Sequence, residues 1–432
     1  MEKNKFVSLR LIIMNVLQWA IWGAYLTSMG SYLSSVGMGA KIGLFYSTQG
    51  FVSIIMPTIM GIIADRYISA EKLLGFCHMI AGAAMIAAGY YGFSAGADVE
   101  FSVLFPIYTL SVAFYMPSIG LSNSVAFSVL EKNKFDTIKN FPPIRVFGTV
   151  GFILCMLFVN FMRDSNNLQY QMTYNQFLVS GILGVILAVY CFTLPKCPLN
   201  KSDKKQSFAD AFGLKTFKLF KYRDMALFFI FSMLIGVALQ ITNSYGNPFI
   251  SHFANIPEFA NSWGAQNANA LISISQMSEA LAILIIPFVL KRFGIKKVML
   301  IAIVAWFFRF GLFGLGNPGD RVWMLITSMI VYGVAFDFFN ISGVLYVNER
   351  TSENIRSSAQ GLFMLMTNGI GAAVGTLAAG YVVNYFVDFS DPLNQNWSAA
   401  WYVFTAYAFV VGILFLILFK NPKTDAAKIE IE

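Results

Sequence analysis

The chain has 432 residues, of which 57% are hydrophobic and only 12% are charged, and its formal net charge is +8. An ordinary soluble domain carries about 25% charged residues, and a soluble fold of this size cannot bury so much apolar surface. The composition therefore excludes an ordinary soluble protein and favours a polytopic membrane protein, for which lipid is the solvent.

Twelve apolar segments are long enough to cross a bilayer, which takes about 20 residues of helix. They predict an all-α membrane protein with twelve transmembrane helices. We interpret the first segment as a retained span, because its apolar part is too long for a signal peptide. In chain order the segments are 7–33, 42–63, 73–95, 101–128, 143–162, 173–195, 225–250, 266–290, 297–316, 322–347, 358–386 and 398–419.

The Lys and Arg residues indicate the orientation and the domains. With both termini in the cytoplasm, about 26 of the 30 Lys and Arg residues fall in cytoplasmic segments or span ends, as the positive-inside rule expects. The positive charge is thus a topology signal, and we expect no nucleic-acid partner. The longest basic polar segment, 196–224, predicts a cytoplasmic linker between two six-helix bundles, 1–195 and 225–432, the second with a short cytoplasmic tail.

The two halves resemble each other. "GIIADRYISAEKLL" (61–74) follows span 2, and "PFVLKRFGIKKVML" (287–300) follows span 8. Two parallel six-span halves fit the major facilitator fold. Gly61, Asp65 and Arg66 are similar to that superfamily's motif between spans 2 and 3, although the usual glycine after the Asp-Arg pair is absent. We expect this motif to act as a conformational latch and not to contact solute.

Two acids and two arginines in or near the apolar segments stand out. Glu279 and Asp337 are the only two of the 22 acidic residues well inside predicted spans, Arg309 is in mid-span, and Arg145 is near the start of span 5. Such groups normally face a cavity or a partner. For the two acids the alternatives are a structural ion pair and proton carriage. We favour carriage, because a buried carboxyl can take up and lose a proton near neutral pH.

Helical spacing places polar and aromatic residues on shared faces of four spans, since residues i, i+3, i+4 and i+7 lie on one face. Lipid does not tolerate polar stripes, so we expect them to face one another. Amides and carboxylates hydrogen-bond hydroxyls and base edges, which predicts a polar solute with hydroxyls and an aromatic ring. The stripes are Arg145, Thr149 and Phe152; Gln240, Asn243 and Asn247; Gln276 and Glu279; and Gly333, Asp337 and Asn340 with Tyr332 and Phe336.

Each stripe also has a purely structural interpretation. The amides of span 7 could join helices by hydrogen bonds, and the aromatic rings could only pack. Arg145 could face lipid headgroups. For Arg309 we expect a structural role, paired to a carboxylate or a carbonyl, in preference to a solute contact.

Five segments closely resemble the bacterial nucleoside:proton symporters of the major facilitator superfamily. The resemblance runs nearly end to end, and the segments are "FPPIRVFGTVGF", "LQITNSYGN", "SISQMSE", "VYGVAFDFFNISG" and "SAQGLFMLMTNGIG". It implies uptake of purine and pyrimidine nucleosides, such as uridine and adenosine, together with protons. It also implies a binding site in mid-membrane between the two bundles, and our hypothesis for the mechanism is alternating access.

The resemblance also implies which residues bind the substrate. Two of them, Glu279 and Asp337, would carry the proton in addition to binding the substrate. We expect a functional monomer in the bacterial cytoplasmic (inner) membrane, with no enzymatic activity and no cofactor or metal. The nearest alternative is a symporter for another polar solute, such as a sugar. The implied substrate-binding residues are Arg145, Thr149, Phe152, Gln240, Asn243, Gln276, Glu279, Tyr332, Phe336 and Asp337.

Overall fold

The computed structural model describes residues 2–198, 214–391, 394–420 and 428–429. In these residues the secondary structure is helical apart from three isolated β-bridges, and the all-α prediction is confirmed. The chain divides into two compact units, Met1–Lys205 (unit 1) and Gln206–Glu432 (unit 2).

Unit 1 contains seven α-helices in its described part. They are α1 (Glu2–Gly23), α2 (Met29–Ser35), α3 (Ile42–Arg66), α4 (Ala70–Ala95), α5 (Phe101–Lys132), α6 (Thr137–Phe161) and α7 (Asn175–Cys191). Within the predicted first span, 7–33, the helix is interrupted between Gly23 and Met29, where the backbone N–H groups of Tyr25 and Ser28 bond to carbonyls three residues back instead of four.

Unit 2 likewise contains seven α-helices in its described part. They are α8 (Arg223–His252), α9 (Trp263–Gln266), α10 (Ala268–Leu315), α11 (Val322–Arg350), α12 (Glu353–Met364), α13 (Ala372–Phe386) and α14 (Trp397–Leu418). A π-helical segment, Leu365–Gly371, joins α12 to α13. The start of α14 is fixed by Asn396, whose side-chain oxygen accepts from the backbone N–H of Ala399 at 3.1 Å.

Ten helical stretches in the described residues are long and apolar enough to cross a membrane. Two features explain why ten such stretches are counted although twelve spans were predicted. Predicted spans 8 and 9 both lie in α10, whose 48 residues form two helices joined at Gly294, where the backbone is not helical. Gly294 has φ 74°, which glycine adopts without steric penalty. The chain reverses there, because Arg309 Nη1 lies 3.4 Å from Ser275 Oγ, 34 residues earlier, so the predicted loop between these spans is a tight turn. The other feature is α7, which has only 17 residues.

Helices α1 and α6 of unit 1 touch through their backbones. A Cβ added at Gly151 would overlap the carbonyl group of Val16, and one added at Gly23 would overlap the carbonyl group of Phe152. The two helices can approach this closely only because both positions are glycine. Side chains of the first helix therefore lie directly beside the polar stripe of α6.

Helices α10 and α11 of unit 2 meet in the same way. A Cβ added at Gly333 would overlap the backbone of Ser278, and the Ser278 hydroxyl donates to the Ile330 carbonyl. At one end of the unit, Arg350 of α11 is ion-paired with Asp224 of α8 at 2.5 Å. The helices that carry the polar stripes of spans 7, 8 and 10 are therefore tied together.

The predicted linker 196–224 is described only in part. Residues 199–213 lie outside the described residues, Leu214–Lys221 forms a 3-10 helix, and α8 begins at Arg223. The assignment of this segment as a cytoplasmic linker between two bundles stays a prediction. Most of the predicted tail, including residues 421–427 and 430–432, also lies outside the described residues.

Candidate functional site

The predicted site residues of unit 1 lie on α6, beside α1. Arg145 is half-buried, and its Cζ lies 3.8 Å from the centroid of the Trp19 ring. A guanidinium over an indole face is attracted by the ring's quadrupole. Thr149 is half-buried and Phe152 is buried. The Arg145 guanidinium is therefore held against α1 while part of the residue stays accessible.

Sequence reasoning missed Trp19, which contacts Arg145 across a helix interface. Trp19 is followed three residues later by Trp22, and the two rings lie 5.8 Å apart. The two closely spaced Trp residues of the first span could have marked Trp19 as a candidate. Nothing in the sequence, however, indicated that α1 packs on α6.

A buried polar network in unit 1 fixes α1 next to Trp19. The His78 ring Nε2 is 2.7 Å from Gln18 Oε1, and Gln18 Nε2 donates to Ser118 Oγ at 2.9 Å. The Tyr115 hydroxyl donates to the Gln18 carbonyl at 2.7 Å. All four residues are buried, so α1, α4 and α5 are joined by bonds that do not compete with water. Sequence reasoning missed this network too.

The aromatic residues of unit 2 form an ordered stack on α11. The rings of Tyr332 and Phe336 are nearly parallel, with centroids 5.8 Å apart and an interplanar angle of 10°. Trp306 packs against Tyr332 edge-on, at 5.9 Å and 90°. Tyr332 is buried, whereas Phe336 keeps part of its surface exposed. The pair thus offers one fixed ring and one accessible ring.

The two intramembrane carboxylates lie near this ring pair. Asp337 is buried on α11 and only 6% exposed, and Glu279 is half-buried on α10. Glu279 follows Ser278, the residue that contacts Gly333. Tyr332 immediately precedes Gly333 in the sequence, and Asp337 lies four residues after Gly333 on the same helix. The structure therefore brings Glu279 close to a ring and an acid that lie 53 and 58 residues later in the sequence.

The amides of spans 7 and 8 divide into two groups. The side-chain oxygens of Gln240 and Gln276 are buried and have no hydrogen-bond partner among the described residues. Asn243 is half-buried. Asn247 instead donates to Asn269 Oδ1 at 2.7 Å, so the structural interpretation of span 7 holds for Asn247. The unpartnered amide oxygens of Gln240 and Gln276 can accept hydrogen bonds from a bound molecule.

The conformational motif is described only in part. Gly61 lies in α3, and a Cβ added there would meet nothing within 4 Å. The side chains of Asp65 and Arg66 lie outside the described residues, so the predicted latch stays a prediction. The nearby Glu71, which sequence reasoning missed, is buried, and it accepts hydrogen bonds from the Ser69 hydroxyl at 2.7 Å and the Cys197 backbone N–H at 3.0 Å.

Comparison with known proteins identifies the family. A family profile described as nucleoside H+ symporter matches residues 5–424. The chain is 43% identical over 417 residues to the xanthosine permease of Escherichia coli, and the match covers 96% of each chain. It is 40% identical to the nucleoside permease NupG of Escherichia coli, with the same coverage.

Solved structures agree with these relatives. A crystal structure of a mutant of NupG superimposes with a TM-score of 0.89 and covers 96% of this chain and 100% of the other. The D-xylose-proton symporter, at 13% identity, shares the fold with a TM-score of 0.69 and covers 98% of this chain and 99% of its own. The major facilitator fold expected from the sequence is thereby confirmed. This chain belongs to the nucleoside H+ symporter family and is a multi-pass membrane transporter, not an enzyme.

Proposed function

We propose that this protein imports purine and pyrimidine nucleosides together with protons, by alternating access, and that Glu279 and Asp337 carry the proton. One observation carries the proposal most directly. The only two acids well inside the predicted spans lie beside a ring pair that can stack on a nucleobase. The relatives named xanthosine permease and nucleoside permease support the solute class.

Both units supply groups for the solute. The Tyr332–Phe336 ring pair stacks on the base, and the buried amide oxygens of Gln240 and Gln276 accept from ribose hydroxyls or base N–H groups. Arg145 supplies a positive charge from unit 1. The two amide contacts are of the type that discriminates strongly, because a solute lacking the matching group leaves a buried polar atom unpaired.

Thr149, Phe152 and Asn243 complete the proposed binding set. Thr149 and Asn243 are half-buried and offer a hydroxyl and an amide, and Phe152 is a buried ring on the same helix as Arg145.

Proton coupling follows from the placement of the two carboxyls. A neutral carboxyl at this depth costs less free energy than a charged one, so protonation on the outside favours the loaded, inward-moving form. One proton moving down 100 mV supplies about 2.3 kcal/mol. At about 1.4 kcal/mol per factor of ten, this sustains roughly 40-fold accumulation of a neutral solute.

The test is uptake by the purified, reconstituted protein. Proteoliposomes are supplied with labelled uridine, adenosine or xanthosine, with and without an inward proton gradient. We expect accumulation above the external concentration only when the gradient is present. Equal uptake in both conditions would remove the symport claim. Competition by free ribose as strong as that by uridine would favour a sugar symporter instead.

The proposal extends to topology and assembly. Both termini face the cytoplasm of a bacterium, the protein lies in the cytoplasmic (inner) membrane, and the monomer transports. Gly61, Asp65 and Arg66 act as the conformational latch. The distribution of Lys and Arg supports this orientation, and accessibility of single cysteines added near each terminus to an impermeant thiol reagent tests it.

A further inference from the structure

Arg309 is a buried charge that the proposed transport mechanism does not use. It lies in the second half of α10 with 0% of its surface exposed. A guanidinium in this position is costly unless hydrogen bonds and nearby rings replace its hydration. The contacts that hold Arg309 therefore identify what the residue stabilises.

The hydrogen bonds of Arg309 reach three other segments. Its Nε donates to Thr242 Oγ1 of α8 at 3.3 Å, and its Nη1 donates to Ser275 Oγ of the first half of α10 at 3.4 Å. Nη1 also donates to the Ser328 carbonyl of α11 at 2.8 Å. The Ser328 hydroxyl returns a bond to the Arg309 carbonyl at 2.8 Å.

These three segments are the ones that carry the proposed solute contacts of unit 2. Thr242 lies two residues after Gln240, and Ser275 immediately precedes Gln276. Ser328 lies four residues before Tyr332, on the same face of α11. One side chain therefore sets the relative position of all three segments close to the site.

The Arg309 guanidinium also lies over two aromatic rings, one of which belongs to the ring pair. The Arg309 Cζ lies 4.6 Å from the centroid of Tyr332 and 5.0 Å from that of Phe313. Tyr332 is the ring that stacks on Phe336. Because cation–π attraction strengthens when both groups are desolvated, this contact restrains the Tyr332 ring.

We propose that Arg309 is a positioning residue for solute binding: it aligns spans 7, 8 and 10 and holds the Tyr332–Phe336 pair in the orientation that stacks on the base. The inference rests on the proposed nucleoside transport. Arg309 touches no solute and acts through Tyr332. A role limited to stability would lower the melting temperature but would not change the affinity of the folded protein.

The experiment compares variants of the full chain, purified in detergent. Arg309→Met removes the charge, Arg309→Lys keeps the charge but lacks the guanidinium fork, and Phe313→Leu is the matched control, because it removes the other ring against Arg309 and leaves Tyr332 in place. Uridine affinity is measured by titration calorimetry, and the melting temperature is measured on the same samples.

We expect Arg309→Met to weaken uridine binding about tenfold and Arg309→Lys about threefold. Phe313→Leu lowers the melting temperature without changing the affinity. In a Tyr332→Leu background, Arg309→Met changes the affinity by less than about twofold, because residues that act as a unit give losses that do not add. If Arg309→Met does not yield folded protein, Arg309→Lys carries the same comparison.

Unchanged affinity in either Arg309 variant overturns the inference, and so do losses that add in full in the Tyr332→Leu background. Failure of the wild-type protein to bind any nucleoside would instead reject the proposed function. The melting temperatures of the same double-mutant cycle then test the contact on which the inference depends. Additive losses reject the coupling of Arg309 to Tyr332 and the inference with it, and losses that do not add support the positioning of Tyr332 by Arg309.

Discussion

Arg145 in unit 1 and Arg309 in unit 2 both stack on aromatic rings but in opposite surroundings. Arg145 is half-buried and lies over Trp19. Arg309 is fully buried, lies over Tyr332, and donates to two hydroxyls and a carbonyl. A cation with accessible surface can contact a solute, whereas an enclosed cation can act only on its neighbours.

The same contrast extends to the regions around the two arginines. In unit 1, a buried hydrogen-bond network around Gln18 holds α1 against the helix that carries Arg145. In unit 2, two carboxylates lie beside a ring that a fixed positive charge restrains. We infer that unit 1 supplies a contact charge and that unit 2 supplies the proton chemistry. Four experiments test this division.

The largest effect is expected from removing a proton carrier in unit 2. Asp337→Asn and Glu279→Gln should each reduce accumulation from roughly 40-fold to about onefold at 100 mV, because a neutral amide cannot carry a proton. Counterflow exchange of labelled uridine should continue. Wild-type accumulation should rise as external pH falls, and that of the variants should not. The measurement is uptake by proteoliposomes at several external pH values.

The control for this prediction is Asp388→Asn, which neutralises an acid of unit 2 in an exposed loop. Hydrogen bonds from the Ser390 side chain and backbone lower the pKa of Asp388. The control should accumulate uridine like the wild type. Full accumulation by both Asp337→Asn and Glu279→Gln would contradict the proposed proton role.

The second effect concerns the glycine contacts. Gly333→Ala should destabilise the protein by about 1–3 kcal/mol, as overpacking does, and should weaken uridine binding because it moves α11 away from Ser278. Gly151→Ala creates a similar overlap with Val16 in unit 1 and is the matched control for stability.

Both glycine variants should lose stability in thermal melts, but only Gly333→Ala should alter the pH dependence of uptake. An altered pH profile in Gly151→Ala would show that the two regions do not divide the work as inferred.

The third effect concerns the contact charge of unit 1. Arg145→Gln should weaken uridine binding about tenfold, and Trp19→Leu about threefold, since a partly exposed cation–π pair contributes about 0.5–1 kcal/mol. The ratio of transported protons to transported uridine, measured with a pH-sensitive dye and labelled uridine, should stay constant in both. A changed ratio would assign Arg145 to coupling as well as to binding.

The smallest effect separates structure from site within α8. Asn247→Leu removes a hydrogen bond to Asn269 between helices, and such bonds contribute about 0.6 kcal/mol in membranes. Its uridine affinity should stay unchanged and its melting temperature should fall slightly. Gln240→Leu should instead weaken uridine binding and leave the melting temperature unchanged, because the Gln240 side-chain oxygen has no partner in the described part of the chain. Equal affinities in the two variants would contradict this separation.

Much of the fold could be predicted from the sequence, because apolar length alone determines which segments can span a bilayer. The structure adds detail where one residue decides the backbone path. At Gly294 the chain reverses between predicted spans 8 and 9 through a single non-helical residue, and irregular hydrogen bonding after Gly23 interrupts the helix of the first predicted span. A hydropathy pattern averages over many residues and does not detect such positions.

The candidate site was predictable to the extent that its residues are unusual for a span. Glu279 and Asp337 are acids in apolar helices, so each was a candidate by itself. Trp19 and Ser328 are ordinary residues of apolar helices, and they gain a role only through the arginines packed on them. That packing depends on which helices are neighbours, and no local pattern in a single sequence encodes it.

The turn at Gly294 has a mechanical consequence. The two halves of α10 are joined by this turn and are also linked by the hydrogen bond from Arg309 Nη1 to Ser275 Oγ. A helical hairpin held at two points along its length tilts as one piece. Since Glu279 lies on one half and Arg309 on the other, a tilt that accompanies protonation of Glu279 also moves Arg309.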